Sequence, residues 1–145
     1  MTWWTVVRFL HVLGAALWVG GQLAVSLVVL PLARRMLDGE RRGQVLTAIG
    51  RRFGLLTAAV FLPVQLATGV AIAWHHGVTW ASLAEPGYGR ILAAKLLLFC
   101  AVMAAAGAHG WASGAGRPKL ARVMAVGSLV GSLGVVLLAT ALPGT

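Results

Sequence analysis

The stretch Val6–Leu32, VVRFLHVLGAALWVGGQLAVSLVVLPL, decides the fold because it is apolar almost throughout and carries a single charged residue, Arg8. About 20 apolar residues are enough for a helix to cross the roughly 30 Å of hydrocarbon in a bilayer. The stretch is too long for the core of a signal peptide and lacks a basic leader and a small-residue cleavage site. It is therefore predicted to be a transmembrane helix that stays in the mature protein.

Three more apolar stretches follow, so that helices are expected at about 6–32, 53–74, 91–111 and 119–142. The 145 residues are 59% hydrophobic and 10% charged, against about 25% charged in soluble proteins. The mean hydropathy is +0.88. These values predict an all-α integral membrane protein in which residues 1–145 form a single transmembrane domain, an antiparallel four-helix bundle.

The basic residues predict the orientation of this bundle. They lie mainly in the first and third connections, as Arg34, Arg35, Arg41, Arg42, Arg51, Arg52, Arg117, Lys119 and Arg122. Short basic loops mark the cytoplasmic face, so both termini are expected outside a bacterial-type cytoplasmic (inner) membrane. The net charge of +9 then indicates contact with anionic membrane lipid rather than with nucleic acid.

Small residues predict where the helices pack. Helices in a bilayer associate through close approach of glycine, alanine and serine. The first span offers Gly14, Gly20 and Gly21. The last offers Gly127, Gly131 and Gly134 with Ser128 and Ser132, and the Gly127/Gly131 pair is expected to pack against another helix.

Polar side chains inside the spans mark a candidate site, because burying them in lipid is costly. Helical spacing places His11, Gly14, Trp18, Gly21 and Gln22 on one stripe, and Thr57, Phe61, Gln65, Thr68 and Ile72 on another. Gln22 and Gln65 are expected to hydrogen-bond across helices, and His109 to be structural. In an antiparallel bundle His11, His75, His76 and Lys95 would share one outer layer.

Two interpretations stay open for each of these groups. His11 is either a ligand or a hydrogen-bonded structural histidine. Lys95 either binds a carboxylate or lies beside a cofactor, or it extends to the headgroups. His75 and His76 are either interfacial residues or ligands.

The run Arg8-Phe-Leu-His-Val-Leu-Gly-Ala-Ala-Leu-Trp-Val-Gly-Gly21, with Pro31 and Arg90-Ile-Leu-Ala-Ala-Lys-Leu-Leu-Leu98, resembles the CopD-like superfamily. This superfamily includes copper-resistance protein D domains and HemJ-type protoporphyrinogen oxidases. The HemJ branch implies a haem b protein with oxidoreductase activity, in which His11 and Lys95 would be the functional residues. The CopD branch implies copper uptake. After Trp18 the chain reads Val-Gly-Gly-Gln, which departs from the more aromatic HemJ pattern.

Ligand chemistry favours haem over copper. Copper(I) prefers thiolate and thioether ligands, and Cys100, Met36, Met103 and Met124 are scattered along the chain. Haem needs one or two axial ligands, a flat apolar slot and a cation for its propionates. The expected cofactor-binding residues are His11, Gly14, Trp18, His75, His76, Arg90 and Lys95, with His11 on the haem iron, or on copper in the alternative, and Lys95 as the catalytic residue.

Two alternatives and two kinds of partner remain. The chain could transport copper, or it could be a cofactor-free membrane subunit that only binds a partner. A second copy of the chain and an electron-transfer protein are the possible partners. Nucleotide-binding, zinc-protease and paired-cysteine motifs are absent from the sequence.

Overall fold

A computed structural model describes residues 1–142, and within that range the regular structure is entirely helical. The helices are α1 (Trp3–Ala24), α2 (Leu30–Met36), α3 (Gly39–Leu56), α4 (Leu62–His75), α5 (Tyr88–Gly114) and α6 (Pro118–Ala141). The chain divides into two compact units, Met1–Ile72 and Ala73–Thr145. The last three residues of the predicted 1–145 domain lie outside the described range.

Two short π-helical segments join helices of the first unit end to end. Val25–Val29 links α1 to α2, and Thr57–Phe61 links α3 to α4. Each segment ends two residues before a proline, Pro31 or Pro63, which has no amide hydrogen for the helical ladder. The residue after each segment donates to the carbonyl five positions back instead of four. The results are continuous helices of 34 and 37 residues.

The first connection is much shorter than the sequence predicts. The predicted spans leave residues 33–52 as a connection, but α3 begins at Gly39, immediately after Asp38. The Asp38 side chain accepts a 2.8 Å hydrogen bond from the Arg41 backbone amide. This N-cap satisfies one of the free amides at the helix start, and the basic segment therefore continues the helix.

The second unit is a pair of antiparallel helices. The third helix runs three residues further at each end than the predicted 91–111, and the fourth matches the predicted 119–142 within one residue. Pro118 occupies the first turn of α6, where its missing amide hydrogen is not needed. A methyl group at Gly131 would lie 2.6 Å from Val102, and one at Gly134 would lie 2.9 Å from Leu98. The two glycines thus let α6 approach α5 closely.

The glycine pair that packs is not the one that the sequence singles out. Gly127 is exposed, and no atom lies within 4 Å of a methyl group built there. Ser128 and Ser132 are buried on the packed face, and the Ser132 hydroxyl donates to the Ser128 carbonyl at 2.7 Å. Residue 127 lies one position before this face, so the GxxxG spacing alone does not identify the contact.

Four helices are long and apolar enough to cross a membrane: Trp3–Met36, Gly39–His75, Tyr88–Gly114 and Pro118–Ala141. Their outer surfaces are covered by large apolar side chains, of which Leu17 is 66% exposed and Leu137 70% exposed. Such surfaces would be unfavourable in water and suit contact with lipid. These features indicate a multi-pass membrane protein.

Candidate cofactor site

A chain of hydrogen bonds connects His11 on α1 with α4. Nδ1 of His11 lies 2.8 Å from Oγ1 of Thr68. The Thr68 hydroxyl donates its own hydrogen to the carbonyl of Val64, at 2.6 Å. Because that hydrogen is used, the Thr68 oxygen acts as the acceptor toward His11. Thr68 is buried, so both bonds lie away from the outer surface of the unit.

This arrangement selects one tautomer of the imidazole. If Thr68 accepts, Nδ1 of His11 carries the hydrogen, and Nε2 carries the lone pair in the neutral ring. Metal-binding histidines commonly have this form, with one nitrogen donating to a neighbouring group and the other bound to the metal. His11 is thus oriented as a ligand would be, and the same bond also ties α1 to α4.

Glycines on both helices make room for the polar side chains. A methyl group at Gly69 would lie 3.3 Å from Cε1 of His11, so the ring rests against the α4 backbone. One at Gly14 would lie 2.6 Å from Oε1 of Gln65. Small residues therefore allow His11 and Gln65 to lie between the helices.

Aromatic rings continue the same seam toward the other end of the unit. Trp18 stacks on Phe61, with ring centroids 4.9 Å apart and planes 14° from parallel. Its other neighbour is Phe53, at 5.9 Å and 57°. A methyl group at Gly21 would lie 2.5 Å from the Phe53 ring. These contacts run in opposite directions along the two helices, which makes the first unit an antiparallel pair.

Gln65 differs from the expectation that it hydrogen-bonds across helices. Its Oε1 is buried and has no hydrogen-bond partner among residues 1–142. Since an unpaired buried amide oxygen costs about 1–3 kcal/mol, Gln65 is a point of low stability in an otherwise well-packed seam.

The remaining predicted site residues lie in the second unit. Lys95 is half-buried on α5, whereas Arg90, His75 and His76 are exposed. Arg90 donates from Nε to the Ala84 carbonyl at 3.2 Å. His76 stacks on Tyr88, with centroids 5.9 Å apart. The structure thus brings Gly14 and Trp18 into the seam that holds His11. The layer expected to unite His11 with Lys95, His75 and His76 stays a prediction.

His109 has a structural contact, as expected. Its Nδ1 donates to the Ala121 carbonyl at 2.8 Å, which links α5 to the first turn of α6.

Sequence reasoning missed two members of the seam. It placed Thr68 on the correct stripe but did not identify it as the partner of His11, and it did not single out Gly69. The available signal was a threonine 11 residues from the nearest other hydroxyl, Thr57 or Thr79, and followed directly by glycine, since such hydroxyls can bond across membrane helices.

Across the described residues 1–142, no group of three or more histidine, cysteine, aspartate or glutamate side chains could hold a metal ion. No family model, curated protein or solved structure matches the chain.

Proposed function

We propose that this protein binds haem b through His11 and acts as a membrane redox protein of the CopD-like or HemJ-like type. The observation that supports this most is the hydrogen-bond chain from His11 through Thr68 to the Val64 carbonyl. With Thr68 as the acceptor, Nδ1 carries the hydrogen, and Nε2 would be the nitrogen that binds the iron. The bundle is proposed to be antiparallel, with both termini outside a bacterial-type cytoplasmic membrane.

The residues of the seam fit an iron ligand of this kind. A single axial imidazole is sufficient for haem, and the bound group would supply one-electron chemistry. Thr68 would orient the His11 ring, and Gly69 would leave room for that ring against α4. The stacked Trp18 and Phe61 rings would exclude water from the seam.

Lys95 and Arg90 are proposed to act on anionic groups. Lys95, which the HemJ resemblance implies is functional, would bind a carboxylate of the substrate or cofactor. The exposed Arg90 would contribute positive charge at the start of α5. On this proposal the protein is an oxidoreductase in which Lys95 is the catalytic residue. An electron-transfer protein or a second copy of the chain would be its partner.

Copper transport is the second candidate, with His11 as a copper ligand. It is supported less well, because copper sites combine several imidazole or sulfur ligands. Within residues 1–142 no three-residue group of His, Cys, Asp and Glu offers that many donors.

A subunit without a cofactor would use the His11–Thr68 bond only to join its helices.

Absorbance spectra of the purified protein, oxidised and reduced, test the proposal. The wild type should show haem b bands between roughly 400 and 600 nm, since these report the iron ligand field. His11→Ala should lose most of the band intensity per protein. The matched control is His109→Ala, which removes a histidine that bonds only a backbone carbonyl in the described contacts, and its spectrum should match the wild type. A wild type without haem bands, or a His11→Ala spectrum like that of His109→Ala, would exclude His11 ligation.

A further inference from the structure

The contacts of the first unit align its two long helices along their axes. A methyl group at Gly21 would touch the Phe53 ring, so these two residues lie side by side. Arg51 and Arg52 directly precede Phe53 on α3. Because the helices are antiparallel, both arginines lie beside the turn that follows Gly21, at residues 22–25.

This alignment indicates where the hydrocarbon layer ends. Arg51 and Arg52 are exposed, and a charged side chain is costly within hydrocarbon. The layer therefore ends near these arginines. On its side of that level, residues 3–25 and 53–72 are about 34 and 30 Å long at 1.5 Å per residue, enough for the roughly 30 Å of a bilayer. The exposed Trp3 lies at the far end, where tryptophan is enriched.

Both helices continue past this level as a projecting hairpin, residues 26–52. From residue 26 to Met36 the first helix extends about 15 Å further, whereas the headgroup layer adds about 5–8 Å to each side of the hydrocarbon. Arginine side chains can stretch toward the headgroups, but by less than this length. Residues 26–32 belong by sequence to the first apolar span, yet they lie in the headgroup layer and the water beyond it.

One side of the projecting hairpin is an apolar stripe that residues 1–142 leave uncovered. The stripe consists of Val28, Leu32 and Met36, which follow one another at spacings of four residues and share a side of the helix. These side chains are between 48% and 77% exposed. An apolar surface of this kind in contact with water is typical of a protein interaction site.

Basic side chains border the apolar stripe. The projecting hairpin contains six arginines against two acids, Asp38 and Glu40, which gives it a net charge of +4. Arg35 follows Leu32 by three residues and Val28 by seven, so it lies on the same side of the helix. Carboxylates on a partner would complement this charge.

We propose that the projecting hairpin is the docking site of a water-soluble acidic protein. The partner would place an apolar groove over the apolar stripe and carboxylates opposite the arginines. A second copy of this chain would bring six like charges to the same surface, which is unfavourable. Lipid tails end near Arg51 and Arg52, so lipid does not cover the stripe. In the proposed orientation of the bundle, this partner is cytoplasmic.

Cysteine labelling measures whether water reaches the apolar stripe. The native thiol of Cys100 is first replaced by serine. Leu32→Cys should then react with a charged maleimide when the purified protein is in nanodiscs. Leu17→Cys, at an exposed apolar position within the hydrocarbon span, should stay unreactive. Equal protection of the two cysteines would show that lipid covers the stripe, and the proposal would be wrong.

The same reaction detects the partner in open membrane fragments from the cells that make the protein. Leu32→Cys should react about tenfold more slowly there than in nanodiscs, since a partner at about ten times its Kd leaves about a tenth of the chains free. A wash with about 1 M salt, which shortens the Debye length to about 3 Å, should restore the reaction. Returning the wash should slow it again.

Two results of this measurement overturn the proposal. Equal reaction rates in fragments and nanodiscs would show that nothing docks on the stripe. Protection that survives the salt wash would show that the stripe is covered by a membrane-embedded partner or by a second copy of the chain.

Arg35→Gln tests the charge of the docking site. Combined with Leu32→Cys, it should require about threefold more of the returned wash for the same protection, in the range of exposed charge pairs. Arg122→Gln on α6 removes the same charge outside the projecting hairpin and should behave as the parent. Equal behaviour of the two glutamine variants would contradict an acidic partner. Haem content enters none of these measurements, so docking and His11 ligation can fail separately.

Discussion

Nδ1 of His11 lies 2.8 Å from the hydroxyl of Thr68, and that hydroxyl donates to the carbonyl of Val64. One imidazole nitrogen is therefore committed to joining two helices, and the other is oriented by that bond. Both the packing of the first unit and the proposed ligation depend on this contact, so that the two roles have to be separated by experiment.

Thr68→Val should separate them. Valine keeps the shape of threonine but removes the acceptor for His11. Haem affinity should fall about tenfold, the lower range for the loss of a group that orients a metal ligand, while stability should fall by only about 1 kcal/mol. Titration of the apo protein with haem and thermal unfolding in detergent measure the two effects.

Thr57→Val is the control for this substitution. The Thr57 hydroxyl donates to the Phe53 carbonyl at 2.7 Å, just as the Thr68 hydroxyl donates to Val64. Unlike Thr68, Thr57 has no hydrogen bond to a side chain of another helix within the described residues. Its haem affinity should equal that of the wild type. If both valine variants bind haem equally well, Thr68 does not orient the ligand.

Gly21→Ala should destabilise the first unit. The added methyl group would lie 2.5 Å from Cζ and 2.9 Å from Cε2 of Phe53, so this ring, which contacts Trp18, must shift. Overpacking of this kind costs about 1–3 kcal/mol. Thermal unfolding should show the loss, and the tryptophan emission spectrum should change.

Gly20→Ala provides the comparison at the neighbouring position. Nothing lies within 4 Å of a methyl group there, and alanine is favoured over glycine in a helix by up to about 1 kcal/mol. The variant should be as stable as the wild type or more so. Equal destabilisation by the two alanines would contradict the packing of Gly21 on Phe53.

The second unit allows the same comparison. Gly131→Ala would place a methyl group 2.6 Å from Val102, whereas Gly127→Ala meets nothing within 4 Å. The first variant should lose about 1–3 kcal/mol, and the second should lose nothing. Unfolding in detergent is again the measurement, and a larger loss at residue 127 would show that the GxxxG pair packs as the sequence suggests.

Gln65→Leu should stabilise the protein in the absence of a ligand. It replaces a buried Oε1 that has no partner within the described residues, and removing an unpaired buried acceptor recovers about 1–3 kcal/mol. Gln44→Leu, at an exposed position of α3, should change stability little. A loss of stability in Gln65→Leu would mean that a donor, such as a buried water, satisfies this amide in the membrane.

Much of the seam follows from helical periodicity. Spacing predicts the stripe of His11, Gly14 and Trp18 and the stripe of Phe61, Gln65 and Thr68, and the structure shows that the two stripes face each other. Spacing predicts which side of each helix is buried, but it does not predict the axial register of the two helices. One helix could shift along the other and still bury the same residues. Only the contacts show that His11 meets Thr68 and that Gln65 meets Gly14.

The sequence pattern also did not predict the π-helical segments or the start of α3 at Gly39. Proline at residues 31 and 63 predicts a disturbed ladder, but the choice between a kink and a π turn depends on how the neighbouring helix packs. The Asp38 cap was visible in the sequence only as one acid among arginines.

Composition and apolar length by themselves determined that this chain forms four helices able to cross a membrane, because the hydrophobic effect and the thickness of a bilayer act on whole segments. Tertiary structure decided which atoms meet, namely the tautomer of His11, the unpaired Oε1 of Gln65 and the packing of Gly134 rather than Gly127 together with Gly131. Those outcomes depend on distances of a few tenths of an ångström between helices, and close packing, unlike hydropathy, is a property of the pair of surfaces rather than of either sequence stretch.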